Sequence, residues 1–284
     1  MYLFKQKDTL DRHLSTARKN GKRIGFVPTM GALHQGHLSL IAKAKENCDV
    51  VVCSIFVNPT QFNDPADFEK YPITIDNDIL QLTDAGTDVL FLPSVQEMYP
   101  DGLTVKTHYD FGQLETVLEG AHRPGHFQGV GQIVHKLLDL VMPDKLFMGQ
   151  KDFQQCLIVN RLLKLIHSSA ELVVCPTLRE PDGLAMSSRN MRLNPAERQN
   201  ALNIYKALIY VKDNIHLASF SEILSNAVNQ LKMNKFDVDY LSLVSVEEDG
   251  TVTFPQAINA RPLYLVVAAK EISSGVRLID NMQM

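Results

Sequence analysis

The chain has 284 residues, 45% of them hydrophobic, so it is long enough to bury a large core and to form two domains. Its formal net charge of −4 leaves no basic footprint, which argues against a nucleic-acid partner. The first residues lack an apolar signal segment, and no apolar run approaches the roughly 18 residues of a membrane helix. We therefore expect a cytoplasmic enzyme with no membrane partner.

The four cysteines are spaced too far apart for a C-x-x-C pair and lie in or beside apolar segments. They are Cys48, Cys53, Cys156 and Cys175. This placement predicts reduced core residues, and it argues against a disulfide framework or a zinc site. A reactive thiol is the less favoured alternative.

The first strong signal is a strand, a glycine-containing turn and a helix start. An apolar run over residues 24–27 ends at Pro28, an apolar-periodic run begins at Leu38, and His34 and His37 lie between them. The free N–H groups and positive dipole end of a helix N-terminus suit phosphate, and two imidazoles can add hydrogen bonds or charge. The turn predicts a nucleotide site for chemistry at phosphorus. Taken alone, it leaves open two polar residues that merely cap an exposed helix.

Short β-rich runs alternate with helical patterns up to about residue 176. Further strands are predicted at residues 49–57, 89–92, 145–149 and 172–175, with helices at 76–85, 130–141 and 152–166. This alternation predicts an α/β domain, residues 1–175, with a Rossmann-like, doubly wound parallel sheet. Such a sheet binds ligands at the carboxyl ends of its strands.

The pattern changes after residue 176. A polar loop at 177–190 leads to Asn194 and Pro195, which suit the N-cap and first position of a helix. Helices are predicted at 195–215 and 220–233, followed by strands at 238–246 and 263–269. Residues 176–284 therefore predict a smaller α+β lid domain over the ligand edge of the sheet.

Polar side chains follow two of the predicted strands. Gln61 comes after the buried run that ends near Val57, and its amide can both donate to and accept from a small hydroxy acid. Lys151 follows another strand and suits a phosphate, with Asp152 as a helix cap or a partner for the lysine. Gln155 lies about one helical turn further and can face the same cleft. The alternatives are an ordinary turn residue and an exposed cap with a solvated lysine.

Two loops complete the candidate site. Residues 123–131 form a glycine-rich segment with Arg123 and His126, which predicts either an anion-binding loop or a mobile connection. Residues 182–190 contain Ser187, Ser188 and Arg189, the groups that a flexible phosphate clamp needs. The alternative for the second loop is a solvated linker, which its apolar interior argues against.

Five segments in this order resemble the pantoate–β-alanine ligase family, which belongs to the H-x-G-H nucleotidyl-transferring superfamily. They are PTMGALHQGH at 28–37, FVNPTQF at 56–62, RPGHFQGV at 123–130, GQKDFQQ at 149–155 and DGLAMSSRN at 182–190. Each segment alone is weak evidence, but together they are specific. The resemblance implies that ATP and pantoate form pantoyl adenylate, which β-alanine then attacks to give pantothenate and AMP.

The family's residue roles carry over to matching positions. His37 would be the proton donor, with His34, Lys151 and Arg189 as further catalytic groups. The resemblance implies an ATP site made of Met30, Gly31, Ala32, Leu33, His34, Gln35, Gly36, His37, Gly149, Gln150, Lys151, Asp152, Leu178, Met186, Ser187, Ser188 and Arg189. Pantoate would be held by Gln61 and Gln155, and Gln61 would also border β-alanine.

The resemblance further implies Mg²⁺ with ATP and a homodimer. Either Asp76 or Asp78 would lie near the metal, because Asn77 interrupts the acidic pair that relatives have. Leu178 replaces a valine of many relatives at a contact that we expect the backbone to make. The rival interpretations are another nucleotidyl-transferring enzyme, a tRNA-charging enzyme and a nucleotide-binding regulatory module without catalysis. The paired glutamines argue against the first, the acidic charge balance against the second, and the intact His34, His37, Lys151 and Arg189 against the third.

Overall fold

A six-stranded parallel sheet forms the first part of the computed structural model, which describes residues 1–104, 107–257 and 261–284. Its strands are β1 (Tyr2–Phe4), β2 (Ile24–Thr29), β3 (Val50–Ile55), β4 (Val89–Phe91), β5 (Lys145–Gly149) and β6 (Glu171–Cys175). Across the sheet the order is β1-β4-β3-β2-β5-β6, and all neighbouring strands are parallel.

Helices cover both faces of this sheet, which confirms the predicted doubly wound fold. One face carries α1 (Lys7–Lys19), α7 (His126–Val141) and α8 (Phe153–Leu165); the other carries α2 (Gln35–Asn47) and α4 (Ile75–Asp84). Three short helices lie in connections: α3 (Pro65–Glu69), α5 (Val95–Met98) and α6 (Glu119–His122). The apolar stripes of the longer helices pack onto the apolar strands, as an α/β core requires.

The direction of the strand order reverses between β2 and β5. From β2 the chain proceeds through β3 to β4 on one side, whereas β5 and β6 lie on the other. Phe26 of β2 pairs with Leu146 of β5, so the carboxyl ends of these two strands are adjacent. Open α/β sheets bind ligands at such a reversal, and it places the turns after β2 and β5 side by side.

The C-terminal region has its own antiparallel sheet, which confirms the smaller α+β unit. The strands β7 (Phe236–Val246), β8 (Val252–Thr253), β9 (Leu263–Glu271) and β10 (Arg277–Gln283) lie in the order β10-β9-β7-β8, with helices α9 (Pro195–Asn214) and α10 (Phe220–Met233) packed against them. Asn194 caps α9 in a capping box with Glu197, as the Asn-Pro pair predicts. Strands β1, β8 and β10 are absent from the sequence-based prediction.

The glycine-rich segment at 123–131 is helical over half its length, which corrects the predicted loop. Helix α7 begins at His126, four residues before the expected start, and Gly125 precedes it with φ of +80°. Inside the helix, a Cβ at Gly129 would lie 2.2 Å from the carbonyl oxygen of Thr60. This glycine therefore permits close packing of the helix against a neighbouring loop.

The two sheets share a core. Val244, Val252 and Val266 of the C-terminal sheet belong to the same buried cluster as the residues of α1, α7 and α8. A boundary at residues 175/176 separates the strands of the two sheets and stays a proposal. Among the described residues, no helix combines the length and apolar character that crossing a membrane requires.

Candidate active site

The turn after β2, residues 30–37, is called the histidine turn here. Gly31 has φ of +81° and Ala32 has φ of +50°, a backbone that L side chains rarely adopt. The carboxylate of Asp78 stabilises this backbone, since it accepts hydrogen bonds from the N–H groups of Ala32 (2.9 Å) and Leu33 (2.8 Å). The hydroxyl of Thr74 donates to the same carboxylate at 3.0 Å.

These contacts argue against the expectation that Asp76 or Asp78 lies near a metal. Asp78 is fully buried and both of its oxygens accept hydrogen bonds, while Asp76 is exposed, and neither lines the cavity described below. Within the described part of the chain, no three His, Cys, Asp or Glu side chains are grouped to hold a metal ion. Asp78 is an anchor of the histidine turn, and a place near magnesium for either carboxylate stays a prediction.

His34 and His37 lie face to face at the start of α2, with ring centroids 4.0 Å apart. A Cβ at Gly36 would lie 2.9 Å from the His34 ring, so glycine makes room for this packing. Burial, reinforced by the charge of Lys151, lowers the pKa of His34 to about 4. Burial also holds the pKa of His37 well below its usual value. Both imidazoles are therefore neutral at pH 7, and they can donate hydrogen bonds but carry no positive charge.

The turn after β5, residues 149–152, is called the lysine turn here. It contains the Lys151 ammonium group, whose Nζ lies 3.2 Å from the Asp152 carboxylate. Asn281 of β10 stabilises its backbone, because the Nδ2 group donates to the carbonyls of Gln150 (2.8 Å) and Lys151 (3.0 Å). Gln150 Nε2 donates back to Asn281 Oδ1 at 3.1 Å, so this side chain faces the C-terminal sheet.

The serine loop, residues 182–190, reaches across to the histidine turn. Ser188 donates to the carbonyl oxygen of Ala32 at 3.0 Å, and Ser187 accepts from the N–H of Arg189 at 3.3 Å. The Arg189 guanidinium forms a 2.7 Å ion pair with Asp67 of α3. Although burial alone would raise it, this arginine and Arg192 hold the pKa of Asp67 below its usual value. A phosphate that binds Arg189 would therefore compete with an acidic side chain of the same protein.

The two predicted glutamines line the same cavity as the histidines, and Gln61 has defined partners there. Its Nε2 group lies 3.2 Å from Met30 Sδ, and its Oε1 atom accepts from Asn58 Nδ2 at 3.0 Å. Tyr99 donates to Asn58 Oδ1 at 2.7 Å, which orients that buried amide. Gln155 lines the cavity from α8, on the side of the lysine turn.

One cavity of about 230 Å³ collects most of the predicted site. Of the predicted residues, those that line it are Met30, His34, Gly36, His37, Gln61, Gly149, Lys151, Asp152, Gln155, Leu178, Met186, Ser187, Ser188 and Arg189. Gly31, Ala32, Leu33, Gln35 and Gln150 are not part of its lining. They shape the two turns through the backbone, apart from Gln35, which is exposed. Segments far apart in the sequence thus form one pocket at the reversal point of the sheet.

Sequence reasoning missed several residues that support the pocket. Asp280 forms a buried ion pair with Arg179 (2.6 Å) next to Asn281, and Glu119 pairs with Arg277 of β10 at 2.6 Å. Each of these pairs joins positions that are far apart in the sequence, so no local sequence pattern predicts them. The only usable signal was charge within the apolar pattern of a strand, as in residues 277–281.

A pocket at the reversal point of a parallel sheet, with a helix N-terminus, a lysine and an arginine around it, defines a nucleotide-binding α/β enzyme. A family model described as pantoate-beta-alanine ligase matches residues 2–283. The chain is 43% identical over 275 residues to the pantothenate synthetase of Cytophaga hutchinsonii, covering 95% of this chain and 94% of that protein. The chain therefore belongs to the pantoate–β-alanine ligase family.

Solved structures agree with this assignment. Pantothenate synthetase from Thermus thermophilus superimposes with a TM-score of 0.90 at 38% identity, with 99% of each chain covered. The pantoate-beta-alanine ligase of Francisella tularensis, complexed with β-γ ATP and β-alanine, has a TM-score of 0.83 at 37% identity. It covers 99% of this chain and 97% of that one.

Proposed function

We propose that this enzyme condenses pantoate with β-alanine and converts ATP to AMP and pyrophosphate, a step of pantothenate synthesis. The observation that carries the proposal is the single cavity in which His34, His37, Gln61, Lys151 and Gln155 meet. Membership of the pantoate–β-alanine ligase family supports the same reaction. The groups around the cavity suit an acid at one end and a polyphosphate at the other.

In the first step, a carboxylate oxygen of pantoate attacks the α-phosphorus of ATP. The bond to the β-phosphate oxygen breaks, and pyrophosphate leaves with the electron pair. Negative charge grows on the phosphate oxygens, so preorganised donors and cations lower the barrier. His34 and His37 supply neutral N–H donors at the start of α2, while Lys151 and Arg189 supply positive charge. We assign the closest contact to the leaving oxygen to His37.

Pantoate is assigned to Gln61 and Gln155. An amide side chain donates and accepts at once, so two of them can orient a hydroxy acid without adding charge beside its carboxylate. The sulfur of Met30 and the amide of Asn58 already hold the Gln61 amide toward the histidine turn. This orientation reduces the freedom that the side chain would lose when pantoate binds.

In the second step, the amine of β-alanine attacks the acyl carbon of pantoyl adenylate. The new carbon–nitrogen bond forms, the bond between the acyl carbon and the phosphate oxygen breaks, AMP leaves with the electron pair, and the amine proton passes to solvent. We assign the border of the β-alanine site to Gln61. No protein nucleophile is needed, and closure of the cavity around the bound substrates would keep water from hydrolysing the adenylate.

The remaining assignments concern conditions and assembly. Mg²⁺ commonly binds through substrate phosphates and water with few protein carboxylates, so we assign it to ATP without ligands from positions 76 and 78. We further propose that the enzyme works in the cytoplasm as a homodimer, which its four buried, free cysteines and its family membership support. Sedimentation at several protein concentrations would test the dimer.

Exchange of labelled pyrophosphate into ATP tests the first step, with pantoate present or omitted. We expect exchange only when pantoate is present, and product formation only after β-alanine is added. Exchange that is independent of pantoate would contradict the substrate assignment. His37→Ala should slow single-turnover adenylation by about 100-fold, with a smaller loss of ATP affinity. An unchanged adenylation rate would contradict its role at the phosphates.

A further inference from the structure

The conspicuous segment 123–129 has no place in the proposed chemistry, although it borders the cavity. It is called the arginine–histidine segment here, and it comprises the connection from α6 to α7 and the first turn of α7. Three of its residues contact the loop that carries Gln61: Arg123, His126 and Gly129. Their contacts identify a structural task in place of the predicted anion-binding loop or mobile connection.

His126 makes the shortest of these contacts. Its Nδ1 atom lies 2.6 Å from the backbone carbonyl oxygen of Gln61, and because a carbonyl can only accept, Nδ1 carries the proton. The other ring nitrogen, Nε2, is then the acceptor for Arg123 Nη1 at 3.1 Å. Burial, reinforced by the charge of Arg123, lowers the pKa of His126 to about 3, so this tautomer is neutral at pH 7.

Arg123 and Gly129 act on the same loop. Arg123 Nη2 lies 3.4 Å from the Gln61 carbonyl oxygen as a second donor. Gly129 lets the helix backbone touch the loop: a Cβ there would lie 2.9 Å from Gln61 Cα, and its carbonyl accepts from Asn58 Nδ2 at 3.2 Å. That same Nδ2 group donates to the Gln61 side chain. Backbone and side chain of Gln61 are thus both oriented from α7.

The segment is also connected to the C-terminal region. Glu119, which is 7% exposed, accepts two hydrogen bonds from Arg277 (2.6 and 2.9 Å) and one from Tyr240 (2.7 Å). Arg123 Nη1 lies 3.6 Å from the same carboxylate. Docking of the C-terminal sheet therefore stabilises the position of Arg123 beside Gln61.

From these contacts we infer that Arg123, His126 and Gly129 are positioning residues that set the affinity for the acid substrate by orienting Gln61. This inference rests on the proposed assignment of pantoate to Gln61. It makes no use of the nucleotide, so the affinity for ATP should depend on these residues much less than the affinity for pantoate.

Two isosteric changes at His126 test the inference. Asparagine places its Nδ2 donor where the ring carries Nδ1, whereas glutamine reaches the position of Nε2 and loses the donor to Gln61. We expect His126→Gln to raise the KM for pantoate about tenfold with the KM for ATP unchanged within about twofold, and His126→Asn to restore most of the pantoate affinity. Equal effects of the two changes, or equal losses for pantoate and ATP, would overturn the inference.

The controls separate positioning from folding and from the proposed function. His135→Asn, in the same helix but bonded to Tyr109, should leave both KM values unchanged. If a variant at position 126 does not fold, Gly129→Ala decides, because its Cβ must displace Thr60 and Gln61. An unchanged KM for pantoate in folded Gly129→Ala would overturn the inference. Gln61→Ala tests the assignment itself: if it leaves pantoate affinity intact, the proposed function fails and not merely the positioning.

Discussion

The histidine turn and the lysine turn meet at one cavity, but different parts of the molecule stabilise them. The histidine turn is anchored by Asp78, which belongs to the same parallel-sheet unit. The lysine turn is anchored by Asn281, which belongs to the last strand of the C-terminal sheet. One half of the proposed phosphate site is thus anchored within the parallel-sheet unit, and the other half is anchored by the C-terminal region.

This difference makes the histidine turn the rigid half of the site. The lysine turn is the conditional half, since its anchor lies on the C-terminal sheet. A buried carboxylate that accepts backbone hydrogen bonds holds its turn at all times, since breaking these bonds leaves unpaired groups in the interior. The contact of the buried Asn281 amide with the lysine turn joins residues of the two sheet units, so it forms only when the C-terminal sheet is docked. Docking of the C-terminal sheet would therefore fix the lysine turn, while the histidine turn is already in place.

Replacement of Asp78 should have the largest effect. Asp78→Ala leaves the buried N–H groups of Ala32 and Leu33 without acceptors, so we expect unfolding to become about 3 kcal/mol easier. Adenylation should fall at least about 100-fold, because the positive-φ turn would no longer hold His34. Urea denaturation and single-turnover kinetics measure the two effects.

Asp76→Ala is the matched control for this prediction, since Asp76 is an exposed acid two residues earlier. It should change neither stability nor the Mg²⁺ concentration at half-maximal activity. A higher Mg²⁺ requirement in Asp76→Ala would instead restore the role near the metal that the family resemblance implies. If Asp78→Ala were as stable as wild type, Asp78 would not be the anchor that makes the histidine turn rigid.

The second-largest effect should come from acidification, which should lower the free energy of unfolding through the buried histidines. The pKa values of His34 and His126 are lowered by burial to about 4 and about 3, while an unfolded histidine titrates near 6.5. Below pH 6.5 the unfolded chain binds protons that the folded chain does not, so the free energy of unfolding falls as the pH drops toward 4. It should fall by up to about 1.4 kcal/mol per pH unit for each such histidine.

Urea denaturation at pH 7.5, 6 and 5 measures this slope. His37→Gln should reduce it by the contribution of one histidine, because burial also lowers the pKa of His37. His216→Gln, at an exposed position on the C-terminal region, should leave the slope unchanged. An identical slope in wild type and His37→Gln would show that folding does not lower the pKa of His37.

The same division explains what the sequence could predict. The histidine turn lies within one strand–turn–helix unit, so an apolar run, two glycines and two histidines were enough to find it. The anchoring role of Asp78 was not predicted because its partners lie 45 and 46 positions away. Strand β10 was missed because Asp280 and Asn281 look like surface residues until their partners, 101 to 131 positions distant, are known. Helix α7 was predicted too short because Gly129 and Gly131 are typical of loops as well as of closely packed helices.

Removal of the Asn281 amide should have the smallest effect and tests the conditional half. Asn281→Ala frees the carbonyls of Gln150 and Lys151, so the Lys151 ammonium group would be held less firmly at the proposed phosphate site. We expect adenylation to slow about tenfold with the KM for pantoate unchanged, as measured by single-turnover kinetics. Asn234→Ala is the control, because this exposed amide bonds only locally, to Gln230. If Asn281→Ala adenylates at the rate of wild type, the lysine turn is as self-sufficient as the histidine turn, and the two halves do not differ in the way proposed.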